Sequence, residues 1–255
     1  MHALVVGLLV GICIFAAALV GMSLHRVLPE PQRSKDTQDV VRLGTGMLSV
    51  LASLVLGLLI ATAKTSYDTT DHEIRSFAAE LILLNETLRD YGGPAKLPSD
   101  LLRTFTLQMR EDIWPQDANR PALRDNPATG DMLEHVREAI RGLVPVDGGQ
   151  RWLQDQALQI NVGLMRARWL LIAQEGSNVR VITLVILTGW IALIFASFGM
   201  NAPRNPTVGA AFLVCSLSIG GAVFLILQMD DPFGGTMKIS DSPLQTALAH
   251  MTRGQ

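Results

Sequence analysis

Charge is scarce in this sequence, and neither sign dominates. Only 17% of the residues are Asp, Glu, Lys or Arg, with 21 basic against 23 acidic side chains and a formal charge of −2. No basic field exists to hold a phosphate backbone, so nucleic acid is not an expected partner. Cysteine is nearly absent. Cys13 and Cys215 both lie within long apolar stretches, where they read as small core hydrophobes and cannot assemble a metal cluster. Also missing are a glycine-rich phosphate loop, an HExxH pair, a nucleophile elbow and any Cys-His grouping. An enzyme would have no nucleophile to name, and no cofactor or metal is expected.

What the chain has in abundance is apolar length. Hydrophobic residues make up 49% of its 255 residues and the mean hydropathy is +0.30, too apolar for an average soluble domain. Four uncharged runs, 3–24, 43–63, 181–200 and 208–229, reach the roughly 20 residues needed to cross a hydrocarbon core of about 30 Å. The first has no basic leading region and is longer than the apolar part of a secretory signal, so it is expected to be retained as a span. Backbone groups inside a bilayer must be satisfied within the chain, which makes all four helical. The expectation is an all-α polytopic membrane protein. Its four transmembrane helices form two hairpins, 1–63 and 181–229, with a helical extramembrane domain at 64–180 and a C-terminal tail at 230–255. A charged loop from Leu24 to Arg42 and a short link at 201–207 close the hairpins. By parity the middle domain lies on the same side as both termini.

Within that domain, Thr70 and Glu73 stand at capping-box spacing. Ile74, Phe77, Leu81, Leu84, Leu88 and Tyr91 then recur at steps of three and four before Gly92-Gly93-Pro94, which predicts an amphipathic helix beginning there. A second helix is expected from about Ser99 to Trp114-Pro115, because proline disfavours the helical region for the residue before it. A third starts at Asn126-Pro127, a cap followed by a first-turn proline, and runs towards Pro145. A fourth begins near Gly149 and leads towards the third span. Asp68, Asp71, His72 and Glu73 suit capping and the helix dipole better than metal ligation.

No span contains Asp, Glu, Lys, Arg or His, which removes the marks of a proton relay, a voltage sensor or an ion-coupled transporter. Thr45, Ser49, Ser53, Gly57 and Ala61 recur at four-residue steps, so on a helix they form one small, partly polar stripe. Two readings stand. Small residues let helices approach closely, and a small hydroxyl-bearing face lines a water path when several copies surround an axis. Gly7 and Gly11 form a shorter pair of the packing kind. At the end of the fourth span, Asp230 and Asp231 meet the negative end of the helix dipole, a placement that calls for a cation. Lys64 and Arg180 emerge on the same side as interfacial ion-pair partners, and a bound inorganic cation is the alternative.

Basic residues near the span ends divide between the two sides. Arg26, Arg33, Lys35, Arg42 and Arg204 flank the hairpin loops, while Lys64, Arg75, Arg166, Arg168, Arg180 and Lys238 lie on the domain side. The first span has no Lys or Arg before it and several after it, which places the hairpin loops in the cytoplasm and the middle domain outside.

Several stretches taken together resemble a bacterial bestrophin-like membrane family, a domain of unknown function. They are AKTSYD at 63–68, AAELILLNETLRDYG at 78–92, IWP at 113–115, FASFGMNAPRN at 195–205 and DDPFGG at 230–235. Tyr67, Asp68, Glu80, Arg204, Pro232, Phe233 and Gly235 are among the positions that carry the pattern. Asn85 departs from it, standing where Asp is more common, and Asp231 stands where a basic residue is usual. The resemblance implies four spans in a bacterial inner membrane. By the looser bestrophin analogy it implies a homo-oligomeric passive anion channel, with the lipid bilayer and inorganic ions as partners. It also implies a cytosolic middle domain, opposite to the side indicated by the flanking charges. The expected function is a passive channel with the second span near its axis. The competing expectation is a non-conducting sensor or scaffold whose middle domain binds a ligand or partner.

Overall fold

A computed structural model of the chain describes residues 2–24, 35–115, 126–173 and 181–253. In chain order its helices are α1 (His2–Leu24), α2 (Lys35–Tyr91), α3 (Lys96–Ile113), α4 (Pro127–Arg141), α5 (Gly148–Ala173), α6 (Val181–Asn201), α7 (Pro206–Asp230) and α8 (Ser242–Arg253). A 3-10 turn at Gly93–Ala95 precedes α3, and there is no strand among the described residues. The chain divides into two compact units. One comprises Met1–Tyr67 and Ser177–Asp231, the other Asp68–Gly176 and Pro232–Gln255.

In the first unit, α1, α6 and α7 are each long and apolar enough to cross a membrane, and so is the apolar part of α2. One face of α1 carries Gly7, Gly11, Ile14, Ala18 and Gly21 at alternating steps of four and three, and all of them are buried. The missing side chains bring backbones together. A Cβ on Gly7 would lie 2.7 Å from the Gly220 carbonyl oxygen of α7, and one on Gly220 would lie 2.5 Å from that of Gly7. Gly21 abuts the Ala196 carbonyl and Gly199 that of Ala18, so α6 approaches α1 in the same way. Without a hydrophobic force between helices in lipid, such contact is a main source of association. Ile14, Ala52, Leu187, Ile191, Ile194 and Phe195 fill the space beside these contacts. The expected packing role of Gly7 and Gly11 is what their surroundings display.

Cys13 and Cys215 are exposed on α1 and α7, not core hydrophobes as expected from their apolar neighbours. In a membrane span the outward face is as apolar as the inward one, so composition does not separate the two.

The second unit is a helical assembly whose fully buried side chains include Phe77, Leu84, Leu88, Leu102, Phe105 and Leu133. The rings of Phe77 and Phe105 meet edge to face at 6.3 Å. The third expected helix begins as anticipated: Asn126 Oδ1 accepts from the Ala128 amide at 3.2 Å, with Pro127 at the first position. Its far end has a different solution. Gln154 Nε2 donates to the carbonyls of Ile140 and Leu143 at 2.9 Å each, satisfying groups that a helix end leaves without partners.

Three expectations need correction. There is no helix start at Thr70, because α2 runs unbroken for 57 residues. Neither Gly nor Pro occurs between Gly57 and Gly92, and a capping box needs a non-helical first residue. The charged loop is also shorter than expected, since Lys35 to Arg42 already belongs to α2. Finally, 230–255 is not a plain tail. Pro232–Gln255 belongs to the second unit, and α8 buries Leu244, Ala247 and Met251. The link from the fourth helical segment to the third span, at Gly176-Ser177, lies outside the described residues.

Candidate functional site

The stripe of α2 is built by its own backbone. Thr45 Oγ1 donates to the Val41 carbonyl at 2.7 Å, Ser49 Oγ to that of Thr45 at 2.8 Å, and Ser53 Oγ to that of Ser49 at 2.8 Å. Each hydroxyl therefore hands its proton back along the helix. Its oxygen keeps unused acceptor capacity. Thr45 Oγ1 also lies 3.0 Å from Ser197 Oγ of α6, so this end of the stripe meets a neighbour. Thr45 and Ser49 are half-buried, whereas Ser53, Gly57 and Ala61 are exposed. A Cβ added to Gly57 would meet nothing within 4 Å, the opposite of Gly7, Gly21, Gly199 and Gly220. Only 11% of the most apolar stretch of α2 is buried, against 39% in α6. Among the described residues the close glycine approaches are made by α1, α6 and α7, while Ser53, Gly57 and Ala61 of α2 stay exposed.

The acidic pair lies where the sequence puts it. Asp230 is the half-buried last residue of α7, and Asp231 is its exposed C-cap. The exposed Lys64 holds its ammonium 6.0 Å from the centroid of the Tyr67 ring. Arg180 lies outside the described residues. No group of three or more His, Cys, Asp or Glu side chains able to hold a metal occurs among the described residues.

The motif positions make local contacts that spacing alone did not reveal. Pro232, Phe233 and Gly235 belong to a segment fastened to the end of α3. Trp114 meets Phe233 edge to face at 5.9 Å, its indole donates to the Ile239 carbonyl at 2.9 Å, and Ile239 N donates to the Pro232 carbonyl at 2.9 Å. The IWP and DDPFGG stretches are thus two halves of one contact. Close by, Arg110 and Asp241 form an ion pair at 2.7 Å. Burial acts to raise the Asp241 pKa, but hydrogen bonds from Gln245 and Arg110, with the Arg110 charge, hold it below the usual carboxylate range. Arg204 donates to the Met22 carbonyl, joining the FASFGMNAPRN stretch to the end of α1. Asp68 is exposed. Glu80 is half-buried, and its Oε2 lies 3.2 Å from where a Cβ on Gly163 of α5 would stand. A bulkier residue at position 163 would crowd that carboxylate.

These features define a class: an all-helical membrane protein with four apolar helices able to span, three of them locked by backbone-to-backbone glycine contacts, beside a separate helical unit. The bestrophin-like domain profile matches residues 12–244, and the chain belongs to the bestrophin-like family. Its fold is shared by crystal structures of a bacterial bestrophin homologue from Klebsiella pneumoniae. One, solved by zinc phasing, is 14% identical over 99% of this chain and 97% of its own, with a TM-score of 0.66. A point variant of that homologue is 13% identical over 98% of both chains, with a TM-score of 0.68. No curated protein sequence matches the chain. Family and fold thus agree: the chain is bestrophin-like in both.

Proposed function

We propose that copies of this chain assemble around an axis lined by α2 and form a passive path for anions across a bacterial inner membrane. The observation that carries this reading is the open lower stripe. Ser53, Gly57 and Ala61 are small and exposed, and among the described residues nothing lies within 4 Å of a Cβ added at Gly57. A lining must leave a path and tolerate water, and hydroxyl oxygens beside small residues do both. The anion preference rests on the family and on the lack of any carboxylate along α2 from Leu43 to Ala63, which would otherwise favour cations. The charges around the first span put the hairpin loops in the cytoplasm and the helical unit outside, whereas the bestrophin analogy puts that unit in the cytosol.

Gly57→Leu tests this reading, because a Cβ at that position meets nothing within 4 Å. Purified protein in liposomes is expected to pass chloride. The variant is expected to lower that flux at least tenfold while its thermal unfolding midpoint in detergent stays with the wild type. Equal flux in both proteins would remove α2 from the axis, and no flux in either would remove conduction.

A further inference from the structure

The second unit holds a cavity of about 660 Å³ that is unrelated to the spans, a size within the usual range for small-molecule sites. Two helix faces build it. Asn85 and Arg89 stand four apart on α2, and Lys96, Ser99, Asp100 and Arg103 follow at steps of three and four on α3, so each set shares one side of its helix. Between the two helices the chain turns at Gly92, with φ of 101°, and Gly93. Neither glycine position has a neighbour within 4 Å of an added Cβ. The absent side chains leave the mouth open, and a residue with a Cβ at Gly92 would be strained. Leu88 and Met251, both buried, add an apolar floor.

The charges of this cavity are one-sided. Arg89, Lys96 and Arg103 face it together with a single carboxylate, Asp100. None of the three cations pairs with a carboxylate among the described residues, whereas Arg75, Arg110 and Arg137 each do. Like charges gathered around a concave space repel one another unless an anion answers them. Asn85 is 7% exposed and its side chain makes no hydrogen bond among the described residues. That amide lines the cavity, where a ligand would reach it.

We propose that this cavity binds a phosphate group carried by a small organic molecule or a lipid head. Arg89 and Arg103 offer planar forks for paired hydrogen bonds to phosphate oxygens, Lys96 supplies a point charge, and the Asn85 amide completes the cradle. Two net positive charges suit a multiply charged phosphate better than a single carboxylate. The apolar floor receives the rest of the ligand. The site stands whether or not the protein conducts.

Isothermal titration of the detergent-purified full chain with pyrophosphate, at constant ionic strength, tests it. Saturable binding is expected. Arg89→Gln combined with Arg103→Gln weakens it at least tenfold, Asn85→Leu weakens it several-fold, and Arg151→Gln, an exposed cation on α5, changes it less than twofold. In a parallel arm, short-chain phosphatidylglycerol is titrated into the same micelles. Saturation by that lipid alone, lost in the double variant, assigns the site to a lipid head; saturation by pyrophosphate assigns it to a soluble phosphate. Absence of saturable binding in both arms overturns the proposal, as does an equal loss in Arg151→Gln. Lys96→Gln serves as the binding variant should the double substitution fail to fold.

Discussion

Glycine means different things at different positions of this chain, and its neighbours decide which. At Gly21 an added methyl would drive into the Ala196 carbonyl, a backbone atom with no side chain to swing away. Gly21→Ala is therefore expected to destabilise the first unit by about 1–3 kcal/mol, as overpacking does, read as a lower unfolding midpoint in detergent. Gly57→Ala meets open space and is expected to leave the midpoint unchanged or slightly raised, since alanine is the better helix former. A second residue-level outcome concerns acid. The Asp241 carboxyl is held below its usual range by Gln245 and Arg110, so its contribution is present above about pH 4, the unfolded value, and is lost as pH falls through the folded value. Its side chain is 27% exposed and that of Arg110 37%, so the pair is worth below about 1 kcal/mol. Asp241→Asn should lower stability at pH 7, and urea unfolding curves of variant and wild type should converge below pH 4.

At the scale of elements, the end of α3 is a fastening point. Trp114→Ala removes the ring contact with Phe233 and the bond to the Ile239 carbonyl. Trp114 is half-buried, so the expected loss is about 2–3 kcal/mol, below the usual figure for a fully buried tryptophan. Limited proteolysis should then cut near 232–241, where the wild-type chain resists. The elements also show what sequence reading reaches. The four apolar runs are legible because length and hydropathy are local properties, and Asn126-Pro127 is legible because a cap is a local chemistry. The continuation of α2 through Thr70 is not legible from a capping signature alone, because the same residues are acceptable inside a helix when no breaker stands nearby. The α8 helix hides for another reason. It is short, and Leu244, Ala247 and Met251 gain their meaning only from burial in the second unit. The stripe from Thr45 to Ala61 is visible as a period, but what faces it depends on helices distant in sequence. The pairing of IWP with DDPFGG joins residues more than a hundred apart, and no spacing rule connects them.

For the molecule as a whole, sidedness has a direct readout. With Cys13→Ala and Cys215→Ala as background, Arg151→Cys places a single thiol on an exposed position of the second unit. By the charges around the first span, a membrane-impermeant maleimide is expected to label it in intact cells. Labelling only after the cells are permeabilised would put that unit in the cytosol, as the bestrophin analogy has it.

The glycine contacts of α1 also have a consequence in time. The helix is made well before the backbones it abuts, which belong to α6 and α7, the last two spans in the order of the described helices. At a synthesis rate of roughly 5–20 residues per second, α1 waits on the order of 10 to 40 s for them. During that wait its glycine face is bare in the bilayer, where a lone apolar helix is stable without partners. The ribosome must pass α6 and α7 before α1 finds its place, so a nascent chain stopped after α5 carries an inserted α1 whose glycine face has nothing yet to hold.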